Sequence, residues 1–254
     1  MMQRLFVLII LLTGLVSGCR YWVLYKFADQ FCDYDRYVEL QLSNLAAQPE
    51  LQIQFHEPVL DRPILLRYLH AAPYLSHYHE NAVISRDYFA FAAIRDNQLN
   101  TDEPFIFSAD YHTLQRIALL SAARLDPRLS TLFPPALVDP ILRSICSDDY
   151  DLSDEQLQMR FRLTNLDTAN LPQRSQIEAI MGQANAVDGL EHAYHFDFLI
   201  QDHLGQWQAQ QKPVILTFRF DLAGKLLSIH IEYFKYRYWL DIVSASGQLL
   251  VIRN

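Results

Sequence analysis

The chain has 254 residues, of which 51% are hydrophobic and 20% are charged, and its formal net charge is −8. This composition supports a packed core and excludes an intrinsically disordered chain. The acidic balance argues against a nucleic-acid partner, because the chain carries no basic footprint for phosphates. No glycine lies between Cys19 and Met181. Phosphate-binding loops of the P-loop and Rossmann classes need clustered glycines, so the sequence excludes both classes.

The first 18 residues have the layout of an export signal. Arg4 supplies one positive charge, residues 5–15 form an apolar run too short for a permanent membrane anchor, and Ser17 and Gly18 are small. We therefore predict that residues 1–18 are a signal peptide that is removed. Two alternatives stay open here: an ordinary signal peptide followed by an accidental cysteine, and an uncleaved transmembrane anchor.

Residues 15–19 resemble a bacterial lipobox, in which the cysteine receives diacylglyceryl and palmitate chains. The resemblance implies lipidation of Cys19. Because Arg20 rather than aspartate follows the cysteine, it also implies transport to the periplasmic face of the outer membrane. Several acyl chains hold a protein at a bilayer, since each buried methylene contributes about 0.8 kcal/mol.

The two remaining cysteines, Cys32 and Cys146, belong to a chain that we expect in an oxidising compartment. We predict that they form one disulfide bond. Such a bond would close a long loop and, in the chain-entropy model, could stabilise the fold by up to about 4.7 kcal/mol. The alternative is two buried free thiols.

The first half of the body is predicted to mix strands and helices. Aromatic, β-branched and alternating patterns predict strands over residues 21–25, 37–42, 51–55, 88–94 and 105–109. Asp61 can cap a helix that has Pro63 in its first turn and continues to Leu69. Apolar residues at helical spacing predict further helices over residues 111–125 and 134–147.

An acidic stretch over residues 147–155 marks the predicted domain boundary, because clustered like charges resist burial. We place an N-terminal domain at residues 19–150 and a C-terminal domain at residues 151–254. The C-terminal domain is predicted to contain a strand over 158–163 and a helix that begins after Pro172 and ends at Gly182. Further strands are predicted over residues 194–200, 213–221 and 226–242, with a hairpin turn at residues 223–225.

The last of these segments changes the phase of its apolar residues. Up to Tyr233 they fall on odd positions, and from Phe234 onward they fall on even positions. A strand cannot exchange its two faces without a bulge, a bend or a change of sheet. The pattern therefore predicts a break near Tyr233 and Phe234.

Residues 171–182, with their helix ending in Met181-Gly182, and the strand-and-turn segment 216–226 are similar to the BamE/SmpA-OmlA family of outer-membrane lipoproteins. The resemblance covers about a third of the chain. It implies an α+β fold in which antiparallel sheets are packed by short helices, and the order of elements implies two tandem BamE-like modules. The family contributes binding surfaces to envelope assemblies, so the resemblance also implies a non-catalytic scaffold.

Two groups of histidines are candidates for chemistry. His70, His77 and His79 precede Glu80, and His192 and His195 lie beside Glu191 and Asp197. Neither group has a further ligand at a recognisable zinc spacing, so no metal or cofactor is predicted. The acidic stretch lacks the EF-hand spacing. No motif identifies a nucleophile or an oxyanion hole, and we predict that the protein is not an enzyme.

Four residues of the last segment are the predicted partner-binding site: Tyr236, Arg237, Tyr238 and Trp239. Tyrosine, tryptophan and arginine are enriched where proteins meet, although core packing explains the rings equally well. The leading hypothesis is a lipoprotein, held at the membrane by its lipid anchor, that binds an envelope protein. The alternatives are a carrier or sensor of a small apolar ligand and an unrecognised periplasmic hydrolase.

Overall fold

The structure is a computed structural model that describes most of the body of the chain. The described residues are 26–27, 29–43, 50–78, 84–96, 98–114, 117–144, 158–163, 166–234, 236–243 and 246–253. The predicted signal peptide, Cys19, the strand predicted over residues 21–25, Cys146 and the acidic stretch all lie outside these ranges.

Strands make up most of the described chain. In order they are β1 (Val38–Ser43), β2 (Glu50–Phe55), β3 (Leu75–Tyr78), β4 (Ile84–Arg95), β5 (Gln98–Leu99), β6 (Phe105–Leu114), β7 (Ile117–Leu125), β8 (Gln158–Leu163), β9 (Ala186–Asp188), β10 (Glu191–Gln201), β11 (Trp207–Phe220), β12 (Leu226–Tyr233), β13 (Tyr236–Val243) and β14 (Ser246–Arg253). The helices are α1 (Tyr34–Tyr37), α2 (Arg62–Leu69), α3 (Pro127–Leu132), α4 (Pro135–Ser144) and α5 (Arg174–Met181), with a 3-10 turn at Thr168–Asn170.

All the strands belong to one antiparallel sheet. Its order is β1-β2-β7-β6-β4-β10-β11-β12-β13-β14-β8, with β3 and β5 paired to β4 and β9 paired to β10. The stretch from β10 to β14 is a meander of consecutive hairpins. Because neighbouring strands are antiparallel, β2, β6, β10 and β12 run in the same direction.

The predicted α+β class with two tandem modules is wrong. The two halves of the chain share one sheet, because β4 pairs directly with β10 and places Phe91 opposite Phe198. No helix of the described chain exceeds the 10 residues of α4. Two separate sheets would each leave a row of unpaired backbone groups at the edge. Joining these edges satisfies the groups and extends the apolar face without a break.

Side-chain contacts also connect the halves. Arg95, at the end of β4, donates from Nη2 to the carbonyl of Met181 at 2.9 Å. The amide of Gln210 both donates to and accepts from the backbone of Ala72, at 2.9 Å in each direction. The predicted boundary near residue 150 lies outside the described residues.

Most of the core lies on one face of the sheet, called here the helix-covered face. One cluster packs beneath α3, α4 and α5 and includes Leu132, Leu137, Ile177, Phe218 and Phe220. A second cluster packs beneath α2 and includes Phe31, Phe55, Phe89, Tyr111 and Phe198. Phe91 and Val214 contact both clusters. A small third cluster, formed by Ala90, Ala92 and Leu199, lies on the other face of β4 and β10. Each large apolar side chain that is fully buried contributes about 1.5–3 kcal/mol, so the helix-covered face supplies most of the stability.

The helix predicted over residues 111–125 is wrong, because this segment forms the β6–β7 hairpin. Leu114 pairs with Ile117 at its tip, and the register shifts between Asp110 and Tyr111. The tip residues Gln115 and Arg116 give no glycine, proline or asparagine turn signal. Strand β7 is paired on both sides, by β6 and β2, and this tertiary pairing overrides the local helical spacing.

The predicted break near Tyr233 is confirmed, because the chain reverses direction there in a hairpin between β12 and β13. Tyr233 pairs with Tyr236 across a two-residue turn, in which Phe234 has a left-handed φ of 56°. Paired residues point to the same face of a sheet. The reversal therefore moves the apolar residues from odd to even positions while keeping them on the helix-covered face.

Two local predictions of helix termini are confirmed. The carboxylate of Asp61 caps α2 by accepting from the N–H of Ile64 at 2.8 Å. Gly182 terminates α5, and its N–H donates to the carbonyl of Glu178. Within the described ranges, no helix has the length and apolar character needed to cross a membrane.

Candidate functional site

The side of the meander opposite the helices presents three cross-strand rows, which together form what we call the open face. The rows join β10, β11, β12 and β13 in register. They are Glu191, Arg219, Ser228 and Asp241; then Ala193, Thr217, His230 and Trp239; and then His195, Ile215, Glu232 and Arg237. Residues on this face are mostly polar and at least partly exposed.

His230 and Trp239 form the centre of the open face. Their rings stack in parallel, with centroids 4.3 Å apart and an interplanar angle of 9°. Burial lowers the pKa of His230 below its ordinary value, and the Glu232 carboxylate offsets only part of this effect. Nε2 of His230 is 3.7 Å from Oε1 of Glu232, which is beyond hydrogen-bond distance. The stack therefore holds a neutral imidazole against the indole.

Loose ion pairs surround this stack. Arg237 Nε is 3.9 Å from Glu232 Oε2, and Arg219 Nε is 4.0 Å from Glu191 Oε1. The exposed fractions of these four side chains range from 40% to 58%. Exposed pairs contribute about 0–1 kcal/mol, so each charge can exchange its partner for a group on another molecule at little cost.

The structure divides the four predicted partner-binding residues between the two faces of β13. Arg237 and Trp239 lie on the open face. Tyr236 and Tyr238 lie on the helix-covered face, opposite Tyr233 and Ile231. Burial raises the pKa of Tyr238. The four residues therefore do not form one surface, since successive side chains of a strand alternate.

His230 and Glu232 were missed as site residues. The change in phase of the apolar residues at Tyr233 could have revealed them, if it had been interpreted as a hairpin with a two-residue turn. That turn places residue 230 opposite 239 and residue 232 opposite 237.

The histidine groups are not assembled as the sequence order implied. His195 and Glu191 are on the open face, while His192 faces α5, with Nδ1 3.3 Å from Oε1 of Glu178. Asp197 accepts from the N–H of Lys212 at 2.8 Å, beside a register shift in β10, and burial raises its pKa. Among the described residues, no three His, Cys, Asp or Glu side chains are grouped to hold a metal ion.

The first histidine group is also dispersed in the described chain. The ring of His70 packs 4.2 Å from that of Phe234, and the ring of His77 lies 5.6 Å from that of Tyr88. His79 and Glu80 lie outside the described residues.

Cys32 is disulfide-bonded, and Cys19 and Cys146 lie outside the described residues. Residues that are close in sequence to Cys32 and to Cys146 contact each other. Arg143 Nη2 is 2.8 Å from Asp35 Oδ1, and its guanidinium lies 4.2 Å from the centre of the Tyr34 ring. The pairing of Cys32 with Cys146 stays a prediction that these contacts favour.

Comparison with known proteins adds no family assignment. No protein-family model, no curated protein and no solved structure matches this chain.

Proposed function

We propose that the protein is a non-catalytic binding module of the bacterial envelope. In this proposal it is tethered to the periplasmic face of the outer membrane by acyl chains on Cys19, and its open face binds an envelope protein. The observation that carries the proposal is the His230–Trp239 stack, surrounded by half-exposed charges on a regular sheet surface.

The physical argument rests on what these side chains offer a partner. Trp239 supplies a large rigid apolar ring, and Arg237 supplies a planar donor, which are the residue types that dominate interface energetics. The surrounding ion pairs are too loose to hold their charges in place. The four strands of the open face span about 19 Å, and the eight residues of β13 span about 27 Å. This area is about two thirds of the roughly 800 Å² per partner of a standard interface.

Affinity capture from detergent-solubilised envelope tests the proposed face. We expect a stoichiometric protein partner with the wild-type chain and at least a tenfold loss of recovery with Trp239→Ala or Arg237→Ala. Tyr238→Phe is the matched control, because it changes the same strand on the opposite face. If both open-face variants stay folded and still recover the partner at the wild-type level, the open face is not the binding site.

The proposed anchor has a separate test. Metabolic labelling with palmitate should mark the wild-type chain and not Cys19→Ser, and globomycin should block maturation of the wild-type chain. A Cys19→Ser chain that matures normally and remains membrane-bound after carbonate washing would rule out the lipid anchor.

One observation favours a second candidate function, the binding of an apolar ligand between α5 and the sheet. Tyr194 is 2% exposed, and its hydroxyl has no hydrogen-bond partner among the described residues. Burial raises its pKa to about 12. A buried hydroxyl without a partner calls for a water or a ligand group. Native mass spectrometry decides: a lipid that co-purifies with the wild type and less with Tyr194→Phe supports this function, and an unliganded wild type contradicts it.

A further inference from the structure

Strand β1 is one of the two outer strands of the sheet, and β8 is the other. It pairs with β2 along its whole length without a register shift, from Val38 opposite Phe55 to Ser43 opposite Glu50. No strand of the described chain pairs with the opposite edge of β1. Such an edge presents a row of unpaired N–H and C=O groups, which is a template for pairing with another strand.

The direction of the backbone groups of β1 follows from its pairing with β2. The N–H of His56 donates to the carbonyl of Tyr37 at 2.9 Å, directly before the first residue of the strand. Hydrogen-bonded residues alternate along an antiparallel strand, so Val38, Leu40 and Leu42 direct their backbone groups away from β2. The N–H of Val38 agrees with this direction, because it donates to a carbonyl of α1. The N–H and C=O groups of Leu40 and Leu42 therefore face outward.

The outer edge of β1 lacks the features that usually prevent edge pairing. Charged residues, prolines and bulges protect the outer strands of soluble sheets. Strand β8 has Arg160 and Arg162 in its sequence, whereas Glu39 is the one charged residue of β1. Leu42 is 48% exposed at this edge. Of the two outer strands, β1 is therefore the better suited to pair with a further strand.

We infer that β1 pairs antiparallel with β1 of a second copy of this chain, so that the sheets of two copies join edge to edge. The pattern of side chains in β1 is compatible with a two-fold axis. Val38, Leu40 and Leu42 lie on one face of the strand and are all apolar, while Glu39 and Gln41 lie on the other face. Because paired residues share a face, apolar side chains of one copy meet apolar side chains of the other.

Two registers satisfy both the outward backbone groups and the charges. If Leu40 lies opposite its own counterpart, Glu39 lies opposite Gln41 and can accept a hydrogen bond from its amide. If Gln41 lies opposite its own counterpart, Glu39 lies opposite Ser43 and can accept from its hydroxyl. The register that places Glu39 opposite its counterpart brings like charges together across the strands, which is destabilising. Either of the other two registers forms about four main-chain hydrogen bonds.

The size of the edge sets the expected strength of the dimer. Two six-residue strands that meet edge to edge bury less than the roughly 1,200 Å² at the lower limit of a standard interface. The dimer is therefore a reversible one, whose population depends on the concentration of the chain. The edge is separate from the open face, so the inference does not depend on the proposed partner or on the lipid anchor.

Sedimentation equilibrium of the full chain in density-matched detergent, with micelles in excess over protein, tests the inference. We expect a concentration-dependent equilibrium between monomer and dimer for the wild type. Leu42→Lys adds a charge that faces an apolar side chain of the second copy in either register, and it should raise the dissociation constant at least tenfold. Circular dichroism checks that the variant keeps the wild-type fold.

Leu222→Lys is the matched control for this substitution. Leu222 is 91% exposed in the turn between β11 and β12, several strands away from β1. The control should dimerise like the wild type. A wild type that stays monomeric at every concentration, or equal dissociation constants for the two lysine variants, overturns the inference.

Opposite charges at position 41 identify the register. With Leu40 opposite its counterpart, Gln41→Lys attracts Glu39 of the second copy and should lower the dissociation constant about threefold, while Gln41→Glu should raise it by a similar factor. With Gln41 opposite its counterpart, both substitutions should raise the dissociation constant, because like charges then face each other. Both patterns support pairing through β1, and unchanged dissociation constants in both variants overturn it.

A variant of the open face separates this inference from the proposed function. Trp239→Ala should weaken recovery of the envelope partner and leave the dissociation constant of the dimer unchanged, because Trp239 lies on β13, far along the sheet from β1. A Trp239→Ala chain that no longer dimerises would overturn the assignment of the dimer contact to β1.

Discussion

His230 and Trp239 stack face to face across β12 and β13, with ring centroids 4.3 Å apart. The stack lies on the open face of the meander, opposite the helix-covered face, and it places His230, whose pKa is lowered by burial, at the centre of the proposed binding surface. Protonation of His230 therefore couples the pH to the stability of this surface.

The first prediction concerns this coupling. Because burial lowers the pKa of His230 in the folded state, the unfolded chain takes up its proton first as the pH falls. The stabilisation from the neutral ring is complete above the ordinary pKa of about 6.5 and is lost as the pH falls through the lower, folded value. We expect His230→Asn to lose less free energy of unfolding than the wild type between pH 7.5 and pH 5, as measured by urea denaturation.

The control for this prediction is His203→Asn, which removes an exposed imidazole from the turn between β10 and β11. Its pH dependence should follow that of the wild type. A wild-type slope in His230→Asn would contradict the assigned role of the stack.

The second prediction concerns the buried ion pair that holds α2 on the sheet. Asp87 is 1% exposed and accepts from Arg62 Nε at 2.7 Å and Nη2 at 3.0 Å, as well as from Ser76 Oγ at 2.6 Å. Asp87→Ala removes the buried carboxylate that accepts from Arg62 and Ser76, and it should lower the free energy of unfolding by about 3 kcal/mol. Ser76→Ala should cost about 1 kcal/mol.

The comparison variant for this pair is Asp33→Ala. Asp33 forms an exposed pair with Arg36 at 4.0 Å, and its loss should cost less than about 1 kcal/mol. Chemical denaturation of the three variants at one pH gives the ranking. Equal costs for Asp87→Ala and Asp33→Ala would show that burial does not govern the contribution of the Arg62–Asp87 pair.

The third prediction concerns the end of α5. Gly182 has φ 73° and ψ −150°, a region that residues with a side chain rarely adopt. A Cβ at this position would be 2.2 Å from Arg95 Nη2, which donates to the carbonyl of Met181. Gly182→Ala should therefore lower the free energy of unfolding by about 2 kcal/mol.

Two further variants separate strain from contact at this site. Gly189 also has a positive φ, and a Cβ there meets nothing within 4 Å, so Gly189→Ala should cost only about 1 kcal/mol. In an Arg95→Ala background, the cost of Gly182→Ala should fall towards that of Gly189→Ala. An unchanged cost in that background would mean that Arg95 is not the obstructing group.

The fourth prediction concerns the disulfide partner of Cys32. The contact of Arg143 with Asp35 and Tyr34 brings the end of α4 beside the residues that follow Cys32. Peptide mapping without reductant should recover Cys32 linked to Cys146. Reduction should lower the stability by up to about 4.7 kcal/mol, because a loop of about 100 residues is released in the unfolded chain. A Cys32–Cys19 peptide would contradict both this pairing and lipidation of Cys19.

Several local elements were predictable from sequence because their determinants lie within a few residues. Asp61 and Pro63 specify the start of α2, Gly182 specifies the end of α5, and alternation specifies β2. The break after Tyr233 was also visible in the phase of the apolar residues. The segment over 111–125 was not predictable, because its apolar spacing fits a helix and only pairing on both sides makes β7 a strand.

The sequence by itself determined which short segments begin, end or turn, since capping, backbone conformation and alternation act between near neighbours. Only the tertiary structure decided that β4 joins β10 in one sheet, and that Trp239 stacks on His230 while Tyr238 faces the core. These relationships depend on hydrogen-bond register and packing between residues that are distant along the chain. Local patterns carry little information about them.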